Sequence, residues 1–309
     1  MKENKTFALK YIKIAHDPKI NEDLIQAMQT DSTISLNLSH PNITRVFEVN
    51  LNATLNKANG QQISVAYIVQ EYIPCGDLFE YLALSGKFTE KIARFFFKQL
   101  ISAITYLHGK GYVHRDIKTE HLLLDEKFNL KLTSFRFGAP IQGRDGSGFL
   151  KTPLGTPQYM PPELISMQPY KGSKVDIFSS GIVLFLLPIA QLPFTKAINK
   201  DPLYSILIHN PQKYWEIYCK EHSITDISVE FKDLVQRMLA SDPNQRPSLE
   251  EISSHPWMLG DIPSSQEIQQ EFNTRAAILS AKQEYKLKAL EEKKVPDHEK
   301  IIKEHEAYL

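Results

Sequence analysis

The first part of the chain alternates between apolar and polar positions in a way that predicts a small sheet with one helix. Residues 6–14 alternate and are rich in apolar and aromatic side chains, which is typical of a strand. Residues 45–51 and 63–72 show the same pattern, and an Asn-Gly pair between them is a hairpin-type turn signal, although the connection is long for a tight hairpin. Residues 21–37 carry a mixed, mostly helical pattern.

Beyond this sheet the apolar positions recur at helical spacing. Residues 78–84 and 90–108 are predicted to be amphipathic helices. The longest apolar run, residues 181–190, is well short of the roughly 20 residues that span a bilayer, so it favours a buried core helix over a membrane span. Further helices are predicted at residues 175–190, 203–208, 231–239 and 249–254.

The composition changes at Gly260, where a tail rich in Glu, Lys, Gln and Ala begins. Its apolar residues between positions 266 and 293 follow no sustained heptad, so the pattern gives little support to a coiled coil. A solvated helix that packs on the preceding domain, or trails from it, is the preferred interpretation.

Length and charge narrow the function classes. The chain has 309 residues, enough for two lobes with a sizeable core, and its 36 basic side chains equal its 36 acidic ones. This balance gives no reason to expect nucleic acid or an anionic membrane as a partner. The 2 cysteines form no disulfide framework and the N-terminus has no apolar targeting core, so a cytoplasmic location is expected.

Three motifs lie in order between Tyr112 and Glu163. The first reads His-Arg-Asp-x-Lys-x-x-His from His114, the second Ser-Phe-Arg from Ser134, and the third Gly-Thr-Pro from Gly155. They resemble the catalytic loop, the metal-binding loop and the substrate-docking loop of serine/threonine protein kinases. In that family the first motif ends in Asn and the second reads Asp-Phe-Gly, so two motifs are altered here.

The resemblance covers residues 6–259 and implies an α+β, two-lobed protein-kinase-like fold. Residues 1–73 would form a small β-rich lobe, residues 74–259 a mostly helical lobe, and residues 260–309 a charged helical tail. The small lobe is expected to lack the family's first two strands, because no Gly-x-Gly-x-x-Gly loop precedes Lys10. The strand edge left unpaired would need cover from a partner, from the tail, or from a further N-terminal segment.

Phosphoryl transfer depends mainly on positioning and charge neutralisation, and the resemblance implies three catalytic residues for it. Asp116 would be the general base and accept a hydrogen bond from the substrate hydroxyl. Lys118 would steady the transferring phosphoryl group, and Thr156 would hydrogen-bond Asp116. A lone Asp in a loop often only caps a turn, but His114, Arg115 and Lys118 lie at the family spacing around this one.

The resemblance also implies a nucleotide site, with ATP as an open candidate ligand. Lys10 would anchor the phosphates, and counting back in the family register places Asp31 as its ion-pair partner. Asp is shorter than the family's Glu, and Ser35 stands where an apolar residue is expected, so the register of this helix stays open. The other implied contacts are Ala8 and Leu123 around adenine, Gln70 behind it, the backbone of Glu71 and Ile73 at its edge, and Asp77 at the ribose.

The groups that would hold magnesium are replaced. Ser134 puts a neutral hydroxyl where a carboxylate would chelate the ion, and His121 puts an imidazole where an amide oxygen would bind. Arg136 replaces a glycine and adds a positive charge nearby. Loss of a correctly held metal would slow transfer on the order of a thousandfold or more. We therefore expect no metal site of the family's kind and no binding of Mg²⁺ in the usual way.

The residues that would hold the kinase frame together are kept. Glu163 and Arg246 resemble a buried ion pair of the family. Asp176 would accept backbone hydrogen bonds from the catalytic loop. The other structural positions implied by the resemblance are His114, Arg115 and Phe135.

Two further features concern regulation and subgroup. Arg115 keeps the potential to bind a phosphorylated activation segment, with Thr152 as the nearest candidate site, and an arginine that only pairs locally is the alternative. The His-Pro-Trp-Met segment at residues 255–258 resembles the calcium/calmodulin-dependent kinase group.

These observations lead to three hypotheses. The first is a pseudokinase, a binding module that presents its surfaces to protein partners, because the metal-binding groups are lost while the large lobe is kept. The second is an active or weakly active ATP-dependent serine/threonine kinase that phosphorylates protein substrates, because Lys10, Asp116, Lys118 and Thr156 are present. The third is a chain that does not fold stably alone.

Overall fold

The computed structural model describes residues 6–14, 18–57 and 59–294 of the chain. It shows a small lobe that contains a sheet and a larger, mostly helical lobe, so the predicted α+β, two-lobed architecture is confirmed. The elements of the small lobe are β1 (Phe7–Lys13), α1 (Pro18–Ser35), β2 (Val46–Asn56) and β3 (Gln62–Glu71).

The small sheet has the strand order β1-β3-β2, and both pairings are antiparallel. Along β1 the exposure alternates, as expected for a half-buried strand, and Lys10 shares a face with Ala8. The opposite face carries Phe7, Leu9 and Tyr11, which are 47%, 59% and 51% exposed. Within the described ranges, β1 pairs only with β3, so its outer edge carries no strand.

The larger lobe contains most of the core. Its strands are β4 (Tyr112–Val113), β5 (Leu122–Leu124), β6 (Leu130–Leu132) and β7 (Ala139–Pro140). Its helices are α2 (Leu78–Ser85), α3 (Glu90–Gly109), α4 (Pro162–Ile165), α5 (Gly172–Ile189), α6 (Pro202–His209), α7 (Pro211–Glu221), α8 (Val229–Met238), α9 (Leu249–Ser253), α10 (Pro256–Leu259) and α11 (Ser265–Lys294).

Helix α7 was not predicted from the sequence. Asn210 caps its N-terminus by accepting a hydrogen bond from the backbone N–H of Lys213. Tyr214 and Tyr218, one helical turn apart, are fully buried and stack with their rings 5.3 Å apart. The spacing of these two tyrosines fits one turn of a helix, but it predicts this helix only when it is known that both side chains are buried.

Helix α5 is mostly apolar and is buried along most of its length in the middle of the large lobe. Its length and composition would be sufficient to cross a membrane, but 83% of that window is buried within the protein. The interpretation as a core helix is the one that the described residues support, and they do not support a membrane span.

The first half of the tail packs on the large lobe. Phe272 of α11 is fully buried, and Arg275 donates hydrogen bonds to the carbonyl oxygens of Ser85, Gly86 and Lys87 at the end of α2. The tail as far as Lys282 therefore lies against α2 in the large lobe. Four aromatic rings surround Phe272 at centroid distances of 5.1 to 5.4 Å, namely Tyr81, Phe88, Phe96 and Phe128.

Candidate active site

The catalytic loop is held in place by a fully buried carboxylate on α5. Asp176 accepts hydrogen bonds from the backbone N–H groups of His114 at 2.9 Å and Arg115 at 2.7 Å, which is the contact predicted from the sequence. His108 adds a third bond at 2.7 Å that sequence reasoning missed. Burial alone would raise the pKa of Asp176, but these hydrogen bonds and the nearby histidines lower it. The carboxylate therefore fixes the loop as an anion.

Asp116 lies in this loop with its side chain fully buried and both carboxylate oxygens in contact with neighbours. Thr156 Oγ1 donates a hydrogen bond to Oδ1 at 2.8 Å, as predicted. On the other oxygen, Arg136 Nη2 lies 3.4 Å away and His121 Nδ1 lies 3.6 Å away. The proposed general base is therefore paired with a cation from the chain itself.

The docking loop reaches Asp116 because of one glycine. Gly155 has φ of +135°, and a Cβ at this position would lie 2.9 Å from the carbonyl oxygen of Arg115. Only glycine accepts both this backbone conformation and this close approach without strain. The turn places the next residue, Thr156, against the base.

Of the two replaced metal positions, His121 contacts Asp116 and Ser134 lies in the loop that contains Arg136. His121 Nδ1 is 2.8 Å from the backbone carbonyl of Asp116, to which the neutral ring donates its proton. Burial, with a smaller contribution from His114, lowers the pKa of His121 to about 4, so the ring is neutral at pH 7. Ser134 adopts a left-handed backbone conformation with φ of +71°.

This donor set does not suit Mg²⁺. The ion prefers carboxylate and phosphate oxygens, whereas Ser134 offers a neutral hydroxyl, His121 a nitrogen, and Asp116 is already paired with Arg136. Within the ranges that the structure describes, no group of 3 or more His, Cys, Asp or Glu side chains is placed to hold a metal ion. We therefore derive no catalytic step through a magnesium ion.

Asp31 connects the small lobe to the altered metal-binding motif. Its Oδ2 lies 3.8 Å from Lys10 Nζ, and its Oδ1 accepts a hydrogen bond from the backbone N–H of Phe135 at 3.0 Å. The register that pairs Lys10 with Asp31 is therefore present. Ser35 is buried in place of the expected apolar residue, and its hydroxyl donates a hydrogen bond to the Asp31 carbonyl at 2.5 Å.

The implied adenine contacts come from strands that are adjacent in the fold. Ala8 of β1 lies opposite Gln70 of β3, and Gln70 is buried. Leu123 of β5 forms an isolated bridge with Asp77, so these two implied contacts also lie together. Ile73 is partly exposed in the hinge between β3 and α2. Their roles in binding a nucleotide stay predictions.

Two hinge carboxylates have structural partners that the sequence did not reveal. Asp77 caps α2 by accepting a hydrogen bond from the backbone N–H of Glu80 at 2.9 Å, and burial raises its pKa. Glu71 pairs with Lys131 Nζ at 2.8 Å and accepts a hydrogen bond from the Arg45 backbone at 3.2 Å. Both side chains therefore stabilise the hinge, whether or not a nucleotide binds beside them.

Lys118 lies 3.5 Å from Glu120, a partner that sequence reasoning missed. Glu120 also accepts a hydrogen bond from Thr119 at 3.1 Å, and Thr119 shares a hydrogen bond with the Tyr159 hydroxyl. Tyr159 comes from the docking loop, so this network joins the docking loop to the catalytic loop.

Arg115 pairs locally in this structure. Its guanidinium donates hydrogen bonds to the Phe137 carbonyl at 2.5 Å and to the Tyr170 hydroxyl at 2.9 Å. Tyr170 in turn donates to the carbonyl of Thr152 at 2.7 Å. Arg115 could bind a phosphorylated activation segment or pair only with local groups, and in the unmodified chain it pairs locally. The contact runs through Tyr170 to the segment that contains Thr152, the candidate phosphorylation site.

The predicted anchor of the docking loop is present as a bidentate pair. Arg246 Nη1 and Nη2 lie 2.7 and 2.8 Å from the two carboxylate oxygens of Glu163. The Arg246 side chain has no exposed surface, and that of Glu163 is 11% exposed. Such fork-to-fork geometry fixes the orientation of both groups.

Comparison with known proteins agrees with this geometry. A family model described as protein kinase domain matches residues 1–258. The chain is 35% identical to CBL-interacting protein kinase 11 of Oryza sativa subsp. japonica over 247 residues, which are 80% of this chain and 45% of that protein. It is 36% identical to the probable serine/threonine-protein kinase MARK-A of Dictyostelium discoideum over 247 residues, 80% of this chain and 21% of that protein.

A third relative is the CBL-interacting serine/threonine-protein kinase 14 of Arabidopsis thaliana, 37% identical over 231 residues, 74% of this chain and 47% of that protein. The chain thus spans about half, or less, of the length of these curated relatives. The similarity confirms the resemblance to serine/threonine kinases and supports the calcium/calmodulin-dependent kinase group.

Proposed function

Because the chain belongs to the protein kinase family, we propose that it is a serine/threonine-type kinase domain that acts by binding proteins and gives no measurable phosphoryl transfer. The observation that carries this proposal is the contact of 3.4 Å between Arg136 Nη2 and Asp116 Oδ2. A guanidinium occupies one oxygen of the base that a substrate hydroxyl would approach.

The electrostatics on the metal side support the same conclusion. Phosphoryl transfer in this family uses metal ions to neutralise charge on the β- and γ-phosphates. Here Ser134 and a neutral His121 supply no negative charge to hold such an ion, and Arg136 would repel one. The expected loss in rate is on the order of a thousandfold or more.

The kept scaffold supports a binding role. Glu163–Arg246 and Asp176 hold the docking and catalytic loops in their folded positions through contacts between protein groups. A protein partner would therefore meet a preorganised surface. We propose protein partners in the cytoplasm as the ligands of this surface.

A weakly active ATP-dependent serine/threonine kinase is the second candidate, and the relatives support it at least as well. All three named relatives are protein kinases by description. The hydrogen bond of 2.8 Å between Thr156 and Asp116 and the pair of Lys10 with Asp31 are the arrangements that such an activity needs. Under this candidate the domain would phosphorylate protein substrates slowly.

A transfer assay decides between these candidates. The full chain is incubated with labelled ATP, magnesium or manganese, and a generic serine/threonine substrate, beside Asp116→Asn and the combined Ser134→Asp, His121→Asn, Arg136→Gly variant. The first proposal expects the wild type and Asp116→Asn to give the same background level of phosphate transfer, because the base is paired with Arg136 and the metal-binding groups are replaced. Wild-type transfer that Asp116→Asn abolishes would overturn that proposal and establish the second.

The combined variant measures how much of the loss in transfer rate comes from the three replaced residues at positions 121, 134 and 136. It restores a carboxylate and an amide and removes the cation beside Asp116, so it should transfer phosphate faster than the wild type. A cooperative thermal melt of each protein shows that the comparison is made on folded chains and tests the third hypothesis at the same time.

A further inference from the structure

The cleft places positive charges of its own beside the replaced metal positions. Lys10 Nζ is held by Asp31, and Asp31 also binds the backbone of Phe135, the residue before Arg136. Asp31 thus ties the ammonium of the small lobe to the backbone of the altered motif, and the guanidinium of the same motif contacts Asp116. The Lys10 and Arg136 side chains are 39% and 46% exposed, so both remain accessible to a ligand.

The acidic groups at this end are already paired. Asp31 contacts Lys10, and Asp116 contacts Arg136 and accepts a hydrogen bond from Thr156. His121 is neutral at pH 7, because burial lowers its pKa to about 4. An incoming dication would therefore find both carboxylates already paired with a cation, whereas the phosphate oxygens of a polyanion could reach the exposed parts of Lys10 and Arg136.

The guanidinium of Arg136 is held in position by two neighbouring groups, the Phe137 ring and Asp116. Its guanidinium carbon lies 4.6 Å from the centroid of the Phe137 ring, and Nη2 is within 3.4 Å of Asp116. A guanidinium presents several N–H donors in one plane, so it can keep one contact to Asp116 and offer others to phosphate oxygens. The side chain is thus placed to supply the charge that a metal ion supplies in the family.

We infer that this cleft binds the metal-free triphosphate of ATP in preference to its magnesium complex, with Arg136 as the cation that replaces the metal. Magnesium neutralises part of the triphosphate charge and occupies the oxygens that Arg136 would contact. It should therefore compete with the protein for ATP instead of assisting its binding. This inference shares the site of the proposed function, but it concerns binding and needs no phosphoryl transfer.

The test is calorimetric titration of the full chain with ATP, once with a chelator and once with excess Mg²⁺. The wild type should bind ATP about tenfold more tightly in the chelator, the size expected for one charge-assisted contact. Arg136→Gly should lose that preference, and Arg136→Lys should retain part of it. AMP, which lacks the β- and γ-phosphates, should bind independently of Mg²⁺ and of Arg136.

Arg144→Gly is the matched control, because Arg144 is an exposed arginine eight positions further along the same segment. It should behave like the wild type. The double variant Ser134→Asp, Arg136→Gly should reverse the preference, since a carboxylate then replaces the cation. Thermal melts confirm that each variant is folded.

The inference is overturned if Mg²⁺ tightens ATP binding to the wild type, if Arg136→Gly and Arg144→Gly behave alike, or if the folded wild type binds no ATP in the chelator. The proposed function has a separate failure, namely transfer that depends on Asp116. Either idea can thus fail while the other stands.

Discussion

The anchor of the docking loop and the altered metal-binding motif each bring an arginine to a carboxylate. The two ion pairs differ in their geometry and in how deeply they are buried. Arg246 and Glu163 form a bidentate pair at 2.7 and 2.8 Å with the guanidinium fully buried. Arg136 and Asp116 make one contact of 3.4 Å with the guanidinium 46% exposed. The first pair resembles the family pattern, whereas the second joins the proposed base to an arginine that stands where the family has a glycine.

The difference separates architecture from chemistry. A buried pair with its hydrogen bonds complete is costly to disturb, because either charge left alone would be buried without a partner. In the second pair only the guanidinium is exposed, so water or a ligand can reach Arg136 and exchange with its single contact to Asp116. The scaffold of this domain can therefore persist while its catalytic chemistry changes, and the two regions should respond very differently to substitution.

The largest effect is expected at the buried anchor. Arg246→Ala should lower the free energy of unfolding by about 3–5 kcal/mol, because Glu163 is left buried without its partner. Urea unfolding followed by circular dichroism measures this change. Arg237→Ala is the control, since Arg237 is 60% exposed in its pair with Asp233, and it should cost about 0.5 kcal/mol or less. Equal costs for the two variants would contradict the comparison.

A second substitution tests whether the tail belongs to the scaffold. Phe272→Ala should cost about 3–4 kcal/mol, because its fully buried ring leaves a cavity among the aromatic residues of α2 and α3. Ile278→Ala on the same helix is the control, as Ile278 is 39% exposed and should cost much less. If Phe272→Ala unfolds at the same urea concentration as the wild type, the tail is not part of the core.

The smallest effect concerns the metal end and depends on pH. His121 has a pKa of about 4 when folded against 6.5 when unfolded, so above pH 6.5 it is neutral in both states. As pH falls from 6.5 to about 4, the unfolded chain takes up a proton that the folded chain does not, and stability declines on the order of 2–3 kcal/mol.

His121→Asn should remove that part of the decline, because an amide does not titrate. The measurement is urea unfolding at pH 7 and pH 4.5 for both proteins. The difference between the two pH values should be smaller in His121→Asn than in the wild type. Identical pH dependence in the two proteins would show that the folded ring takes up its proton normally.

Much of the fold could be predicted because motif residues are constrained in number and order along the chain. The contacts of Thr156 with Asp116, of Arg246 with Glu163 and of Asp176 with the catalytic loop were all implied by the resemblance to the kinase family, and all are present. Helix α7 was not predicted, because the sequence does not show that its aromatic residues Tyr214, Trp215 and Tyr218 are all buried.

The family frame and the loss of the metal-binding groups follow from the amino-acid sequence, because both depend on which residue types occupy known positions. The contact of Arg136 with the base, the neutral state of His121 and the burial of Phe272 became apparent only in the folded chain. These three outcomes depend on distances and burial between segments far apart along the chain, and local pattern carries no information about either.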